Sequence, residues 1–494
     1  MHGAGISDTY RVLLAGGYDA RGQWGALPMD AEALLPLAPQ LHWLSLLERE
    51  LFLFAAFWLV LGALDELAVD LAWLWLRATG RIPTRRADPP PPRLSGHTAV
   101  FVAAWDEAAI LATTLTQVSL AWPQPELRLF VGVYRNDPAT FAAACRGAAH
   151  DPRIRIVVHD RPGPTTKADC LNGLYRALER EETRHGLVFR TVILQDAEDM
   201  VHPAAIGVID HAIGTTAMVQ LPVRPALAGG TRFVSGHYAD EFAESHTKGL
   251  VVRDALGLDL PAAGVGCAVE RGMLRLLVAA GSEGPFAADS LTEDYELGFR
   301  IRRMGGGSRF LRLRDSNGEL IATTSYFPNE IGPAARQKAR WIHGIAFQGW
   351  DRLGWAGSWA NRWMMLRDRR GPMAALVLGT AYLLLAIEAV LLLSGTPHAD
   401  NSVWAPWLWS FATFLMLSVL WRSTWRAAFV AREYGWCEAG FAVLRIPVAN
   451  VIGIMAGWRA LAAYCGNLRG AALRWDKTTH AAHPAASVRL GSPT

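Results

Sequence analysis

Thr191-Val192-Ile193-Leu194-Gln195-Asp196-Ala197-Glu198-Asp199 joins an apolar run of strand length to three carboxylates within four residues. An apolar run without alternation suits a strand buried on both faces, as in a parallel sheet covered by helices. Sheets of that kind bind ligands beyond the carboxyl ends of their strands. Carboxylates crowded there repel one another unless a cation neutralises them. A hard divalent ion, Mg or Mn, meets that demand and also binds diphosphate oxygens. A solvated acidic turn is the plainer alternative.

Working outward, the runs 97–104, 127–134 and 153–159 have the same character and are separated by helical segments. Their alternation predicts an α/β domain with a mostly parallel sheet. The residues that follow them include Trp105 and Glu107, then Asn136 and Asp137, then the segment Thr165 to Asn172 with Lys167 and Asp169. Each set alone is ordinary turn chemistry. Their common register at one sheet edge makes them site candidates. Further on, Thr292-Glu293-Asp294 opens an apparent helix. Thr292 suits an N-cap and acids suit a first turn, yet a carboxylate held there could also serve as a general base. Gln337, Arg340 and Trp341 fall on one helical face after Pro333. Guanidinium suits a diphosphate and indole suits a sugar ring; the same trio would fit an amphipathic helix at a membrane surface.

Composition limits the alternatives. A hydrophobic fraction of 51% and a mean hydropathy of +0.15 predict a soluble domain joined to a few membrane segments. A net charge of +3 excludes a large nucleic-acid surface. The five cysteines, 145, 170, 267, 437 and 465, lack zinc or disulfide spacing and read as reduced thiols. Gly264-Val265-Gly266 lacks the full GxGxxG pattern, which rejects a nicotinamide site.

Residues 1–40 read as a poorly ordered extension without a signal peptide. A membrane helix is expected over 41–80, with Asp65, Glu66 and Asp70 in one arc facing protein, a polar cavity or an interface rather than lipid. A Pro-rich linker follows over 81–94, then the catalytic domain over 95–345 and an interfacial linker over 346–372. Within 373–464, the stretches 373–393 and 403–421 read as spans, and 441–464, with Arg445, Pro447 and Asn450, as interfacial or re-entrant. Arginines flank the central region and the tail 465–494, whereas 394–402 has none. By the positive-inside rule the central region and the tail are cytoplasmic, with three crossings.

Together these pieces resemble the family 2 glycosyltransferases of GT-A (Rossmann-like) fold, especially the processive polysaccharide synthases. The carriers are the DxD-like Asp196-Ala197-Glu198, the TED of Thr292-Glu293-Asp294 and the QxxRW of Gln337, Arg340 and Trp341, in the family's order. Asp196 to Asp199 and Arg474-Trp475-Asp476-Lys477-Thr478-Thr479-His480 are similar to the bacteriophage adsorption protein B group of that family. Longer members of that group carry a C-terminal regulatory domain linked to cyclic di-GMP; such a domain is not expected within these 494 residues, and that regulation is not carried over.

The resemblance implies a membrane-bound inverting transferase that moves a sugar from a nucleotide-diphosphate donor, a UDP-sugar, to a growing polysaccharide. Trp105, Glu107, Asn136 and Asp137 would line the nucleotide pocket, and Lys167 would lie near the diphosphate, with Asp169 also binding substrate. Asp196 and Glu198, or Asp199, would hold Mg or Mn. Asp294 would be the base within the catalytic Thr292-Glu293-Asp294, and Gln337, Arg340 and Trp341 would clamp donor and acceptor. Expected partners are the bacterial inner membrane, a glycan acceptor, an export partner in the periplasm or outer membrane, and a second copy of the chain; nucleic acid is not expected. The alternatives are single addition to a lipid carrier and a non-catalytic scaffold in phage adsorption.

Overall fold

The computed structural model describes residues 17–18, 24–25, 42–149, 151–227, 232–281, 283–394 and 405–471. The expected N-terminal extension lies outside them, apart from a strand pair, Gly17–Tyr18 with Trp24–Gly25. So do the loop from 395 to 404 and the motif from Arg474 to His480. The chain divides into two units, 59–378 with 413–494 and 1–58 with 379–412. Among its described residues after position 25, the smaller unit consists of parts of three apolar helices, His42–Ala78, Gly371–Ser394 and Ala405–Tyr434.

The larger unit is built on a seven-stranded sheet. Its strands are β1 (His97–Ala103), β2 (Leu127–Tyr134), β3 (Ile154–His159), β4 (Phe189–Asp196), β5 (Met218–Gln220), β6 (Cys267–Glu270) and β7 (Ser308–Phe310), in the order β7-β5-β6-β4-β1-β2-β3. β4, β1, β2 and β3 run parallel, with Val100 level with Ile193 and Leu129. Alternate residues explain why the strands are apolar throughout. Val100, Val102, Val131 and Ile193 enter one core with Leu111, Leu115 and Trp122. Phe101, Phe130, Val192 and Leu194 enter the opposite core with Leu171, Leu174 and Leu178. Each fully buried side chain of this size contributes roughly 1.5–3 kcal/mol, so both faces are firmly closed.

The sheet is mixed rather than wholly parallel. β6, a short strand that the sequence reading passed over, inserts antiparallel between β4 and β5. The Pro-rich segment is no free spacer either: Arg85–Arg86 pairs with Leu313–Arg314, Leu94 is buried, and Gln124 donates to the Pro91 carbonyl.

The acids of the first apolar helix face protein. Trp363 Nε1 donates to Asp65 Oδ1 at 2.6 Å, Arg367 and Arg370 each pair with Asp65 and Glu66, and Lys248 Nζ lies 2.7 Å from Asp70 Oδ1. Charges inside an apolar segment persist when they are paired this way. The stretch expected as an interfacial linker carries the helix Trp359–Arg369, which supplies several of these partners.

Among the described residues, the helices long and apolar enough to cross a membrane are Trp43–Ala78, Gly371–Ser394 and Ile446–Leu468. Of the expected span 403–421, residues 405–421 form the first part of the helix Ala405–Tyr434, which continues through Arg422, Arg426 and Arg432, and 403–404 lie outside the described residues. The expected interfacial stretch 441–464 breaks at Arg445 into Trp436–Leu444 and Ile446–Leu468. Arg445, 1% exposed, pairs with Asp240 and Glu438 at 2.9 Å each and so ties this break to the helix Arg232–Glu244.

Candidate active site

The carboxyl ends of β1, β2 and β4 open onto one cavity of about 460 Å³, within the usual range for a small-molecule site. Trp105, Glu107, Lys167, Asp196, Glu198 and Asp199 line it from the sheet side. Thr292, Glu293 and Asp294 enter at the start of the helix Glu293–Arg303, and Gln337, Arg340 and Trp341 from the helix Ile331–Ile342. Residues separated by more than a hundred positions therefore share one space, because the strand order brings their loops to one edge of the sheet. β4 is central; its parallel neighbour β1 delivers the loop that follows it to this edge, and antiparallel β6 delivers the segment that precedes it, which includes Gly264.

The acidic arm is a tight turn. Asp199 is buried, and its Oδ2 accepts the Asp196 amide at 2.8 Å, while Asp196 and Glu198 are half-buried beside the cavity. Burial first, then repulsion from Asp196 and Glu198, holds the Asp199 carboxyl well above the usual carboxylate range. Crowded hard oxygen donors of this kind could hold a divalent cation; Asp196 and Glu198 line the cavity, and Asp199 closes the turn.

Lys167 opens the helix Lys167–His185, where Thr166 caps by accepting the Asp169 amide at 3.2 Å. Its ammonium pairs with Asp196 and donates to the Gly264 carbonyl at 3.2 Å. Burial works against that charge, but Asp196, Glu293 and Asp294 hold the lysine well above its ordinary pKa. Gly264 has φ +73°, and a Cβ there would stand 2.5 Å from Asp294 Oδ2 and 3.3 Å from Lys167 Nζ. Asp196 and Asp294 thus meet across a single lysine. Glu293 and Asp294 are both raised, chiefly by burial; Asp294 raises Glu293 further, and Lys167 opposes both shifts. Thr292 occupies the N-cap position without a side-chain cap bond; the Ser290 hydroxyl accepts its amide at 3.2 Å instead.

Three of the expected substrate-binding residues are turned elsewhere. Asn136 clamps Gly163 by two bonds of 2.7 Å, and Asp137 accepts the Asp106 amide at 2.6 Å while capping the helix Pro138–Ala148. Asp169 is buried against Arg161 at 2.8 Å and His159 at 3.5 Å. They brace the loops: with Gly163 held, Trp105 packs directly over it.

The sequence reading missed Phe242, His246, Tyr326 and Phe327, which also line the cavity. Thr323–Tyr326 is β-branched and aromatic, a strand signal that could have been found. Phe242 and His246 carried no such signal. Among the described residues, the three candidate metal-ligand atoms that lie within 4.8 Å of one another belong to His202, Asp315 and Glu319, away from this cavity. There His202 Nδ1 accepts the Ala204 amide, which leaves the proton on Nε2 toward Asp315. That tautomer makes a hairpin contact rather than a metal ligand.

Residues 92–344 match the family described as Glycosyltransferase like family 2, just over half of the chain. The chain belongs to glycosyltransferase family 2, and its mixed α/β sheet is the GT-A fold of that enzyme class. It is 34% identical over 413 residues to Bacteriophage adsorption protein B of Escherichia coli (strain K12), covering 77% of this chain and 54% of that protein. The figures are the same for Bacteriophage N4 adsorption protein B of Escherichia coli O157:H7. The chain therefore spans about half the length of these curated relatives. Among solved structures it is similar to a mannosyltransferase from Pyrobaculum calidifontis in complex with GDP-Man and Mn2+, at 18% identity and a TM-score of 0.48, covering 79% of this chain and 98% of that one. A second is glucosyl-3-phosphoglycerate synthase from Mycobacterium tuberculosis in complex with Mg2+ and uridine-diphosphate, at 17% identity and a TM-score of 0.34, covering 53% and 82%.

Proposed function

We propose that this chain transfers a sugar from a nucleotide-diphosphate donor to an acceptor hydroxyl with inversion, and that it does so on a membrane. The observation that carries the reading is the shared cavity, in which the Asp196–Glu198 arm and Asp294 face each other across Lys167. Asp196 and Glu198 would hold a divalent cation, which supplies Lewis-acid stabilisation of the leaving diphosphate when bound. Lys167 and Arg340 add positive charge beside the same phosphates. Trp105, seated over Gly163 and edge-on to Tyr134 at 5.2 Å, offers a flat wall for the base. Asp294 takes the proton of the acceptor hydroxyl as that oxygen attacks the anomeric carbon from the face opposite the diphosphate. Its raised pKa, caused first by burial, brings a carboxylate nearer the working range of a general base.

The paired acids in the first apolar helix and the arginine bias of the sequence support a catalytic unit on the cytoplasmic side of an inner membrane. A growing polysaccharide is the proposed acceptor, with a UDP-sugar as donor and an export partner beyond the membrane. A lipid-linked acceptor has one observation in its favour: Ile452 of the apolar helix Ile446–Leu468 shares a buried cluster with Ala334 and Ala335 of the QxxRW helix. The test is a donor screen on detergent-purified protein with Mg or Mn, read by nucleoside diphosphate release and product size. Asp294→Asn should lower transfer roughly 10²–10⁴-fold with nucleotide binding kept. Unchanged sugar incorporation in that variant removes the base assignment, and a ladder against a single addition separates the acceptors.

A further inference from the structure

The cavity has a second end that the transfer chemistry leaves unused. The helix Arg232–Glu244 runs into one π turn, Ser245–Gly249. Such turns re-aim side chains and recur at functional sites. Here the turn presents His246, which lines the cavity although it is only 7% exposed. Val223 donates its amide to His246 Nδ1 at 3.0 Å, which fixes the tautomer: the ring proton sits on Nε2. Among the described residues Nε2 has no hydrogen-bond partner, so its N–H is left to meet a ligand at the cavity wall. Burial pushes the imidazole down to about 3, and Arg312 adds to this, so the group is neutral and attracts no phosphate.

Its surroundings are aromatic. Phe242, one turn earlier, meets the imidazole edge-on at 5.0 Å and lies 5.2 Å from Phe327, which in turn is 6.3 Å from Trp341. Apolar ring faces beside one neutral donor match a sugar ring, whose CH face stacks and whose oxygens accept.

We propose that His246, with Phe242 and Phe327, forms an acceptor-recognition subsite in which Nε2–H donates to an oxygen of the acceptor sugar ring. This deepens the transferase reading and rests on it. His246 is a binding residue there and takes no part in the proton transfer.

The test uses the full chain in detergent and two independent titrations. Methyl glycosides of glucose, galactose, mannose and N-acetylglucosamine are followed by saturation-transfer NMR; UDP and GDP, each with Mn2+, are followed by calorimetry. His246→Asn keeps an acceptor near the Val223 amide but cannot reach the Nε2 position, whereas His246→Gln can place an N–H there. Wild type binds at least one glycoside, His246→Asn binds it roughly tenfold more weakly, His246→Gln recovers most of the loss, and nucleotide titrations are the same in all three. The inference is overturned if wild type binds none of the four glycosides, or if His246→Asn binds them as wild type does. Should His246→Asn lose nucleotide and glycoside together, it has misfolded, and His246→Gln decides: near-native glycoside affinity supports the subsite and a tenfold loss overturns it. Glycoside binding that tracks His246 in a protein without nucleotide affinity would sink the transferase reading and leave the sugar subsite standing.

Discussion

Replacing Gly264 by alanine asks whether the base is held by its neighbours or merely lies near them. Two effects separate. The backbone at φ +73° admits alanine at a cost of about 1–2 kcal/mol. The new methyl group would also stand 2.5 Å from Asp294 Oδ2, closer than real Cβ contacts come. The carboxylate is the far end of a side chain, so it can retreat by roughly 0.5–1 Å with little further loss of stability, but a displacement of that order can lower a rate about 10²-fold, or about 2.7 kcal/mol in the barrier. Gly257 supplies the control: its φ is +65° and nothing lies within 4 Å of an added Cβ. Gly257→Ala should therefore show the backbone cost alone, with transfer unchanged. Unfolding midpoints in denaturant and steady-state diphosphate release are measured on both variants. Equal rates in the two alanine variants would refute the claim that the Gly264 loop positions Asp294.

Three more outcomes follow from the geometry. Chelation should abolish transfer and Mn2+ restore it, with Glu198→Gln needing roughly tenfold more metal; a metal titration of that variant matching wild type would remove Glu198 from the ligand set. Arg445→Met leaves Asp240 buried without its paired cation and Glu438 with Arg232 alone, and should destabilise by about 3–5 kcal/mol; a denaturation shift under about 1 kcal/mol would mean that this cluster is not what ties the C-terminal helices down. His246 and His237, held down to about 3 and about 4 by burial first, are neutral when folded and gain a proton when unfolded below about pH 6.5. Their stabilisation is whole above that pH and declines as pH falls toward the folded values, each adding up to about 1.4 kcal/mol per pH unit. Asp240, raised to about 6 by burial, acts oppositely between about pH 3.8 and 6. Melting temperatures from pH 7 to 4.5 should fall less steeply for His246→Asn than for wild type, and parallel curves would contradict the neutral assignment.

Much of the site could be read in the chain because its chemistry is local. The apolar run into Asp196 and Glu198 dictates a buried strand and what waits at its end. Thr292 to Asp294 and Gln337 to Trp341 read as helix-borne segments, and their helices do open onto the cavity. Asp65, Glu66 and Asp70 share an arc simply because a helix repeats every 3.6 residues, so their turning toward protein was foreseeable. What the chain could not disclose depends on which neighbour arrives from afar. β6 is only four residues long and gains its meaning from pairing with β4 and β5 on either side. Asn136, Asp137 and Asp169 have the composition of ligand residues, yet the loops they meet turn them into braces. Arg445 looked like an obstacle to burial until Asp240, some two hundred positions earlier, came to meet it. His246 gave no sign at all, since its role is set by the Val223 amide that fixes its proton and by the cavity beside it. Periodicity and propensity are properties of neighbours in sequence; charge pairing, tautomer and enclosure belong to neighbours in space, and only folding creates those.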